Sequence, residues 1–229
     1  MDASGDLWVA DLGNYRVQHI TDTGTFISQL GTGVFGSSSG TFTSQFKSPT
    51  DVAVDASNNV WVADGGNNRI RKFNGTTGAV MQTISTGLSN PQGVDVDNLG
   101  NIWVADSFNN RIRKYSSIGT LLLTIGGVQG TGNTQLWYPS DVVVDATGNV
   151  WIADRYNNRI VEYNSTGGFI QRIGGGVTGN AVGTGNGEFD FPTTVTLDSL
   201  GNLWVADSNN DRLQVFSSTG GYLDQFGSF

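Results

Sequence analysis

A ten-residue motif occurs five times in this chain and constrains its fold more than any other feature. It reads WVADLGNYRV at 8–17, WVADGGNNRI at 61–70, WVADSFNNRI at 103–112, WIADRYNNRI at 151–160 and WVADSNNDRL at 204–213. Repetition with a period of roughly 20–50 residues indicates an array of identical supersecondary units. We therefore predict one domain, residues 1–229, made of five units. Their approximate bounds are 1–46, 47–88, 89–136, 137–189 and 190–229.

Each complete unit predicts four short β-strands. The first begins at a proline, as in PTDVAVD at 49–55, and proline is tolerated at the first residue of a strand. The second carries the repeated tryptophan and is apolar on both faces, which indicates burial on both sides. The third, such as RIRKF at 69–73, is half polar, and a glycine turn leads to the fourth. Polarity that rises towards the outer strand is expected of sheets arranged radially, so the pattern predicts an all-β propeller.

The consensus Pro-x-x-Val-x-Val-Asp-x-x-Gly-Asn-Val-Trp-Val-Ala-Asp-x-x-Asn-x-Arg-Ile resembles the NHL repeat, and the resemblance covers essentially the whole chain. It implies a β-propeller of four-stranded blades, usually six of them. Only five repeats are visible here, and the first lacks its proline-containing innermost strand, so nineteen strands are expected. Three arrangements are open: a five-bladed ring with one three-stranded blade, a part of a longer propeller, or strand edges that pair between chains.

Composition excludes several classes of function. The net charge of −8 argues against nucleic acid as a partner, because phosphate backbones would be repelled. With no cysteine and one histidine, His19, the chain cannot form a His-rich zinc site, and we expect His19 to be a surface or inter-strand residue. No apolar run approaches the roughly 18 residues of a membrane span. The first residues contain no signal-peptide core, and we favour an extracellular or periplasmic location with the leader absent from this chain.

The Asp-x-x-Asn-x-Arg signature of the repeat is interpreted as structural. Because the same three residues recur in every unit, they are expected to stabilise the hairpin rather than form a unique site. The clearest sets are Asp64, Asn67 and Arg69, then Asp106, Asn109 and Arg111, then Asp154, Asn157 and Arg159.

Positions that differ between units are better functional candidates. Asp51, Asp95 and Asp141 lie on predicted innermost strands and are candidate ligands for a hard cation such as Ca²⁺ in the central channel. Resemblance to gluconolactonase-like and paraoxonase-like propellers implies that such a metal would act as a Lewis acid on lactones or esters. No other reading of the chain requires a cofactor.

The loops before the prolines differ most in length and composition. Trp137, Tyr138 and Phe191 lie on them, and aromatic residues on variable loops are typical of contact with a peptide or a sugar. The leading hypothesis is a non-enzymatic scaffold that binds a protein, peptide or glycan through this loop face. The alternatives are a metal-dependent hydrolase of lactones or of phosphate or carboxylic esters, and a homo-oligomer assembled through the incomplete first blade.

Overall fold

The structure, a computed structural model, describes residues 1–31, 45–175 and 181–227, which form nineteen β-strands. The strands form one three-stranded sheet and four four-stranded sheets. Within each sheet, strands that are consecutive in sequence pair antiparallel. Innermost strands from successive sheets pack side by side around a central cavity. The fold is a five-bladed β-propeller whose first blade has three strands, which confirms the prediction.

The strands follow the repeat closely. Blade 1 comprises β1 (Leu7–Asp11), β2 (Arg16–Ile20) and β3 (Phe26–Leu30). Blade 2 comprises β4 (Pro49–Val54), β5 (Asn59–Asp64), β6 (Arg69–Asn74) and β7 (Val80–Ile84). Blade 3 comprises β8 (Pro91–Val96), β9 (Ile102–Asp106), β10 (Arg111–Tyr115) and β11 (Leu121–Gly126). Blade 4 comprises β12 (Pro139–Val144), β13 (Val150–Asp154), β14 (Arg159–Tyr163) and β15 (Phe169–Gly174). Blade 5 comprises β16 (Pro192–Leu197), β17 (Leu203–Asp207), β18 (Arg212–Phe216) and β19 (Tyr222–Phe226).

The hydrophobic core lies between adjacent blades. Trp61 and Ala63 of β5 pack with Ile102 and Val104 of β9, and all four are almost fully buried. An indole brings a large apolar area to each such interface, and the small alanine leaves room for it. The equivalent contacts at the other interfaces involve Trp8 with Val62, Trp103 with Ile152, and Trp151 with Val205. Strands β5, β9 and β13 are buried throughout, as their apolar sequences predict.

Two blade faces are packed less completely, and we call them the terminal faces. One is the side of blade 1 that carries Val9, which is 40% exposed although its counterpart Val62 in blade 2 is fully buried. The other is the side of blade 5 that carries Leu213 and Phe226, which are 42% and 49% exposed. The counterpart of Phe226 in blade 2, Ile84, is 6% exposed. Each terminal face therefore carries residues whose counterparts in the other blades are buried between two blades.

The hairpin between the tryptophan strand and the next strand is a short 3-10 turn in every blade. The turns span Leu12–Asn14, Gly65–Asn67, Ser107–Asn109, Arg155–Asn157 and Ser208–Asn210. In blades 2, 3 and 4 an asparagine with positive φ follows the turn, a conformation that asparagine adopts more readily than most residues. We call the end of the propeller that carries these turns and the loops before the prolines the loop face.

No helical segment in the described part of the chain is long and apolar enough to cross a membrane.

Candidate functional site

A cluster of aromatic side chains lies on the loop face between blades 4 and 5. Tyr156, from the 3-10 turn of blade 4, is at its centre. Its ring centroid is 5.6 Å from that of Trp137, 4.9 Å from that of Tyr138 and 5.2 Å from that of Phe191. The three predicted loop-face residues are therefore brought together, around a fourth residue that the sequence analysis did not select. All four side chains are partly exposed.

The backbone of the cluster is held in an uncommon conformation. Tyr138 and Phe191 have φ of 54° and 53°, and each precedes the proline that opens an innermost strand. Such a conformation costs a bulky residue on the order of 1–3 kcal/mol, so surrounding contacts must enforce it. The N–H of Tyr138 donates to Asn110 Oδ1 and that of Phe191 to Asn158 Oδ1, both at 2.9 Å. The preceding blade thus fixes the backbone position of each of these two aromatic residues.

Arg155 places a positive charge inside the aromatic cluster. Its guanidinium carbon is 5.8 Å from the ring centroids of Tyr138 and Tyr156 and 5.4 Å from that of Phe191. Its Nε is enclosed and has no hydrogen-bond acceptor among the described residues. Arginine remains charged at any physiological pH, and its planar fork of donors matches a carboxylate or a sulfate.

The same arginine borders a cavity of about 230 Å³ at the mouth of the channel. Polar side chains of four blades surround this cavity, among them Thr50, Gln92, Ser140 and Thr193. The hydroxyl protons of Thr50 and Ser140 are donated to main-chain carbonyl groups, so their oxygens can accept a hydrogen bond from a hydroxylated group that Arg155 attracts. The carboxyl groups of Asp51 and Asp141 also line this cavity, so the mouth combines a cation and aromatic faces with hydroxyl, amide and carboxyl groups.

In blade 4 the repeated Asp-x-x-Asn-x-Arg residues form hydrogen bonds to the loop that carries Trp137 and Tyr138. Asp154 Oδ2 accepts hydrogen bonds from Asn157 Nδ2 and Arg159 Nε, both at 2.7 Å, while its Oδ1 accepts the N–H of Trp137 at 2.7 Å. Arg159 is fully buried and also donates to three carbonyl oxygens within residues 131–135. Burial raises the pKa of Asp154 to about 6 despite the neighbouring Arg159.

The other blades repeat this arrangement. Asp64 accepts from Asn67 and Arg69, and its second oxygen accepts the N–H of Lys47 at 2.8 Å. The remaining sets with the same bonds are Asp106, Asn109 and Arg111, then Asp207, Asn210 and Arg212, then Asp11, Asn14 and Arg16 without a bond to a loop. In blades 2 to 5 these contacts link the hairpin to the loop before the proline, and they leave little of the carboxylate for a ligand.

The predicted channel carboxyl groups do line the central cavity, which has a volume of about 370 Å³. Asp51 is representative: its Oδ1 accepts the N–H of Val52 on its own strand at 2.7 Å, and its Oδ2 accepts the N–H of Val94 in blade 3 at 2.8 Å. The corresponding bonds are from Val96 and Val144 to Asp95, and from Val142 and Val195 to Asp141. Each carboxyl group therefore joins two adjacent innermost strands.

Burial changes the protonation of these groups. It raises the pKa of Asp51 to about 7 and that of Asp95 to about 6. Burial and the nearby charge of Asp51 together raise the pKa of Asp141 well above its usual value. In the described part of the chain, the carboxylate oxygens of Asp51, Asp95 and Asp141 do not all lie within 4.8 Å of one another. A cation held by all three stays a prediction, and it would compete with the backbone donors for their oxygens.

The sequence profile of the NHL repeat matches residues 46–73, 88–115, 136–163 and 189–216. The chain belongs to the NHL-repeat β-propellers. This NHL propeller is 55% identical to NHL repeat-containing protein 3 of Mus musculus and of Homo sapiens over 42 residues. That alignment covers 18% of the chain and spans only 12% of either mammalian protein.

Solved structures with the same fold include two lyases and a chain of a complex between two proteins. Streptogramin B lyase superposes with a TM-score of 0.69 at 17% identity over 99% of this chain and 66% of the lyase. Virginiamycin B lyase from Staphylococcus aureus gives 0.67 at 15% identity, over 99% and 67% of the two chains. A chain of a nidogen–laminin complex gives 0.70 at 18% identity, over 98% and 76%. At these identities the similarity establishes the fold of the NHL propeller and leaves its activity open.

Arg155 and Tyr156 are the residues that sequence reasoning missed. They occupy the two variable positions inside Asp-x-x-Asn, a motif that was interpreted as structural throughout. A comparison of those two positions alone would have found them, because only blade 4 combines a cation with an aromatic ring there. The pairs in blades 1 to 5 are Leu12–Gly13, Gly65–Gly66, Ser107–Phe108, Arg155–Tyr156 and Ser208–Asn209.

Proposed function

We propose that this NHL propeller is a non-enzymatic scaffold that binds a protein, peptide or glycan through its loop face. The observation that carries the proposal is the charged guanidinium of Arg155 among three partly exposed aromatic rings. Arginine, tyrosine and tryptophan contribute most of the binding energy at many interfaces, because they combine large apolar area with directional hydrogen bonds. An acidic side chain, a C-terminal carboxylate or an acidic sugar is the group that best suits Arg155.

Rigidity of the cluster also supports a binding role. Tyr138 and Phe191 are held by hydrogen bonds from the preceding blade, and Trp137 by the carboxylate of Asp154. A surface that is ordered before contact loses less conformational entropy on binding. One structural neighbour is nidogen in a complex with laminin, so a propeller of this fold is found in a protein–protein complex. The lyases among the neighbours are enzymes, which is why the test must include activity as well as binding.

The test replaces the two central residues by those that blade 5 carries at the same positions. The double variant R155S/Y156N takes its side chains from Ser208 and Asn209, so the turn geometry is preserved. Wild type and variant are applied to an array of acidic and neutral peptides and to a glycan array. We expect the wild type to bind a subset rich in carboxylates and the variant to lose at least about 10-fold in affinity for it.

The matched control is Asn209→Ala, which changes an exposed residue of the same turn in blade 5. It should bind as the wild type does, and all three proteins should have similar melting temperatures. Equal binding of wild type and R155S/Y156N, or an array on which the wild type binds nothing, would show that the cluster is not the site.

A metal-dependent hydrolase is the alternative, and the observation in its favour is that Asp51, Asp95 and Asp141 line one cavity. It requires hydrolysis of a lactone, a carboxylic ester or a phosphate ester that rises with added Ca²⁺ and is lost with a chelator. It also requires that Asp141→Asn abolish turnover while R155S/Y156N leaves it unchanged. If the protein is a non-enzymatic scaffold, it should hydrolyse none of these substrates, either with added Ca²⁺ or with a chelator.

Self-association is the third candidate, and the terminal faces favour it. Val9 on one face and Leu213 on the other are apolar and exposed, and their counterparts pack against each other in every internal interface. A second copy of this chain could supply the matching face. Light scattering should then show a mass that rises with concentration, and V9K/L213K should be monomeric. Leu200→Lys is the control, because Leu200 is 83% exposed on a turn. A monomeric mass at every concentration would remove this candidate.

A further inference from the structure

The turn that precedes each tryptophan strand contains an aspartate surrounded by hydrogen-bond donors. In blade 2 the carboxylate of Asp55 accepts from the side-chain amide of Asn59 at 3.0 Å and from the indole N–H of Trp61 at 3.3 Å. Lys72 pairs with the same carboxylate at 3.0 Å. Blade 3 has the same four groups in Asp97, Asn101, Trp103 and Lys114.

Blade 1 replaces two of these donors. Asp2 is the turn aspartate and Trp8 the indole, but Asp6 stands where blade 2 has Asn59, and His19 where it has Lys72. The substitution of aspartate for asparagine removes an amide donor and brings a second carboxylate to the first. The ligand atoms of Asp2, Asp6 and His19 all lie within 4.8 Å of one another.

Geometry and burial favour this set as a metal site. Asp2 Oδ2 is 3.1 Å from His19 Nε2, and the two side chains are only 3% and 11% exposed. Two ligands of a tetrahedral zinc ion, each about 2.0–2.1 Å from the metal, stand roughly 3.3 Å apart. The N–H groups of Ser4 and Asp6 both donate to Asp2 Oδ1, which fixes the carboxylate and leaves Oδ2 directed at the histidine.

The indole of Trp8 gives an independent indication. Its Nε1 is enclosed and has no acceptor among the described residues, although Trp8 is only 8% exposed. In blade 2 the same indole N–H donates to the turn aspartate. The ring of Trp8 instead stacks on that of His19, with centroids 4.1 Å apart and planes 7° from parallel. The indole therefore sets the orientation of the imidazole and presents an unused donor beside it.

We propose that Asp2, Asp6 and His19 bind a divalent transition-metal cation of the zinc type. An imidazole with two carboxylates suits Zn²⁺, Co²⁺ or Ni²⁺, whereas Ca²⁺ and Mg²⁺ prefer oxygen ligands alone. Three protein ligands leave a fourth position for water, whose oxygen can accept the Trp8 N–H. The ion joins the turn before β1 to β2 and so stabilises blade 1. The site is separate from the loop face, and its indole, Trp8, also lines the central cavity.

The test compares untagged wild type with variants that restore the blade 2 arrangement. His19 is the only histidine of the chain, so its ring signals in a ¹H–¹⁵N spectrum report on this site alone. One equivalent of ZnCl₂ should shift those signals and raise the melting temperature, and CoCl₂ should produce the visible absorption of tetrahedral cobalt. D6N/H19K should lose more than about 100-fold in affinity, since even changes outside the ligands cost about 10–100-fold.

The single variant D6N keeps His19 as a reporter if the double variant does not fold, and Asp22→Asn, an exposed residue of the same blade, is the control. D6N should bind more weakly than wild type, while Asp22→Asn should bind equally. Unshifted His19 ring signals in excess ZnCl₂ would reduce the cluster to a hydrogen bond between Asp2 and His19 and overturn the proposal. Equal zinc affinity of wild type and D6N would do the same.

Discussion

Replacement of Asp95 by threonine is expected to change how the stability of the propeller depends on pH. Asp95 is a buried channel carboxyl group whose pKa is raised to about 6, mainly by burial. Threonine is neutral and already stands at the equivalent position of blade 5, Thr196, so the innermost strand accepts it. The substitution removes one titrating group and the acceptor for the N–H groups of Val96 and Val144.

The magnitude follows from the pKa. In the unfolded chain Asp95 titrates near its ordinary pKa of 3.8, so between that pH and about 6 the folded state holds a proton that the unfolded state has released. Stability must therefore fall as pH rises through this window. The rise of the pKa from 3.8 to about 6 corresponds to about 3 kcal/mol in total, because a tenfold change in the proton-binding constant is worth about 1.4 kcal/mol. At acidic pH the variant should be the less stable protein by about 2 kcal/mol, since two backbone donors lose their acceptor.

Urea unfolding followed by tryptophan fluorescence measures both effects at about pH 4.5, 6 and 8. The wild type should lose stability over this range more steeply than the variant. The difference in unfolding free energy between them should narrow by about 2 kcal/mol, because part of the effect already lies below about pH 4.5, and it should close or reverse at the alkaline end. Parallel curves for the two proteins would show that Asp95 titrates normally in the folded state. The reasoning on all three channel carboxyl groups would then be wrong.

The remaining predictions concern the hairpins and the loops that they hold. Gly66→Ala should destabilise the protein by about 1–3 kcal/mol, because a Cβ would stand 2.9 Å from the carbonyl carbon of Lys47. Gly13→Ala, at the same position of blade 1, would meet no described atom within 4 Å and should cost far less. Equal melting temperatures of the two variants would contradict this. Arg159→Lys should cost about 2–4 kcal/mol, because it removes the fork that binds Asp154 and three loop carbonyl groups. Thermolysin should then cleave the loop before Pro139 faster, and an unchanged cleavage rate would count against the role assigned to Arg159.

The architecture could be predicted from the sequence because the repeat encodes it several times. Trp61, its neighbouring alanine and the glycine turns recur at fixed offsets, so every strand was visible in five aligned copies, or four for the innermost one. The missing strand of blade 1 followed from the absence of its proline segment. The repeat could not predict contacts between residues of different blades, such as the hydrogen bond from the N–H of Val94 to Asp51.

The candidate sites were only partly predictable for the same reason. Trp137, Tyr138 and Phe191 stood out because they lie on variable loops, yet Tyr156 was hidden inside a motif that had been assigned to structure. His19 was set aside as a lone histidine, although Asp6 replaces an asparagine of the repeat beside it. In both cases a residue differs from the repeat at one position. Its role could be inferred only from the structure, which shows that it lies beside other residues that also differ from the repeat.

The side-chain hydrogen bonds that the innermost strands and the residues after the 3-10 turns make to the next blade have a consistent direction. The side chain of Asn68 or Asp51 in one blade binds a main-chain N–H of the next, and Thr50 and Ser140 likewise donate to main-chain carbonyl groups one blade ahead. A folded blade therefore presents the side chains that bind its successor, and the successor contributes only backbone groups to these bonds. A blade can also vary its own side chains without losing these attachments to the blade before it.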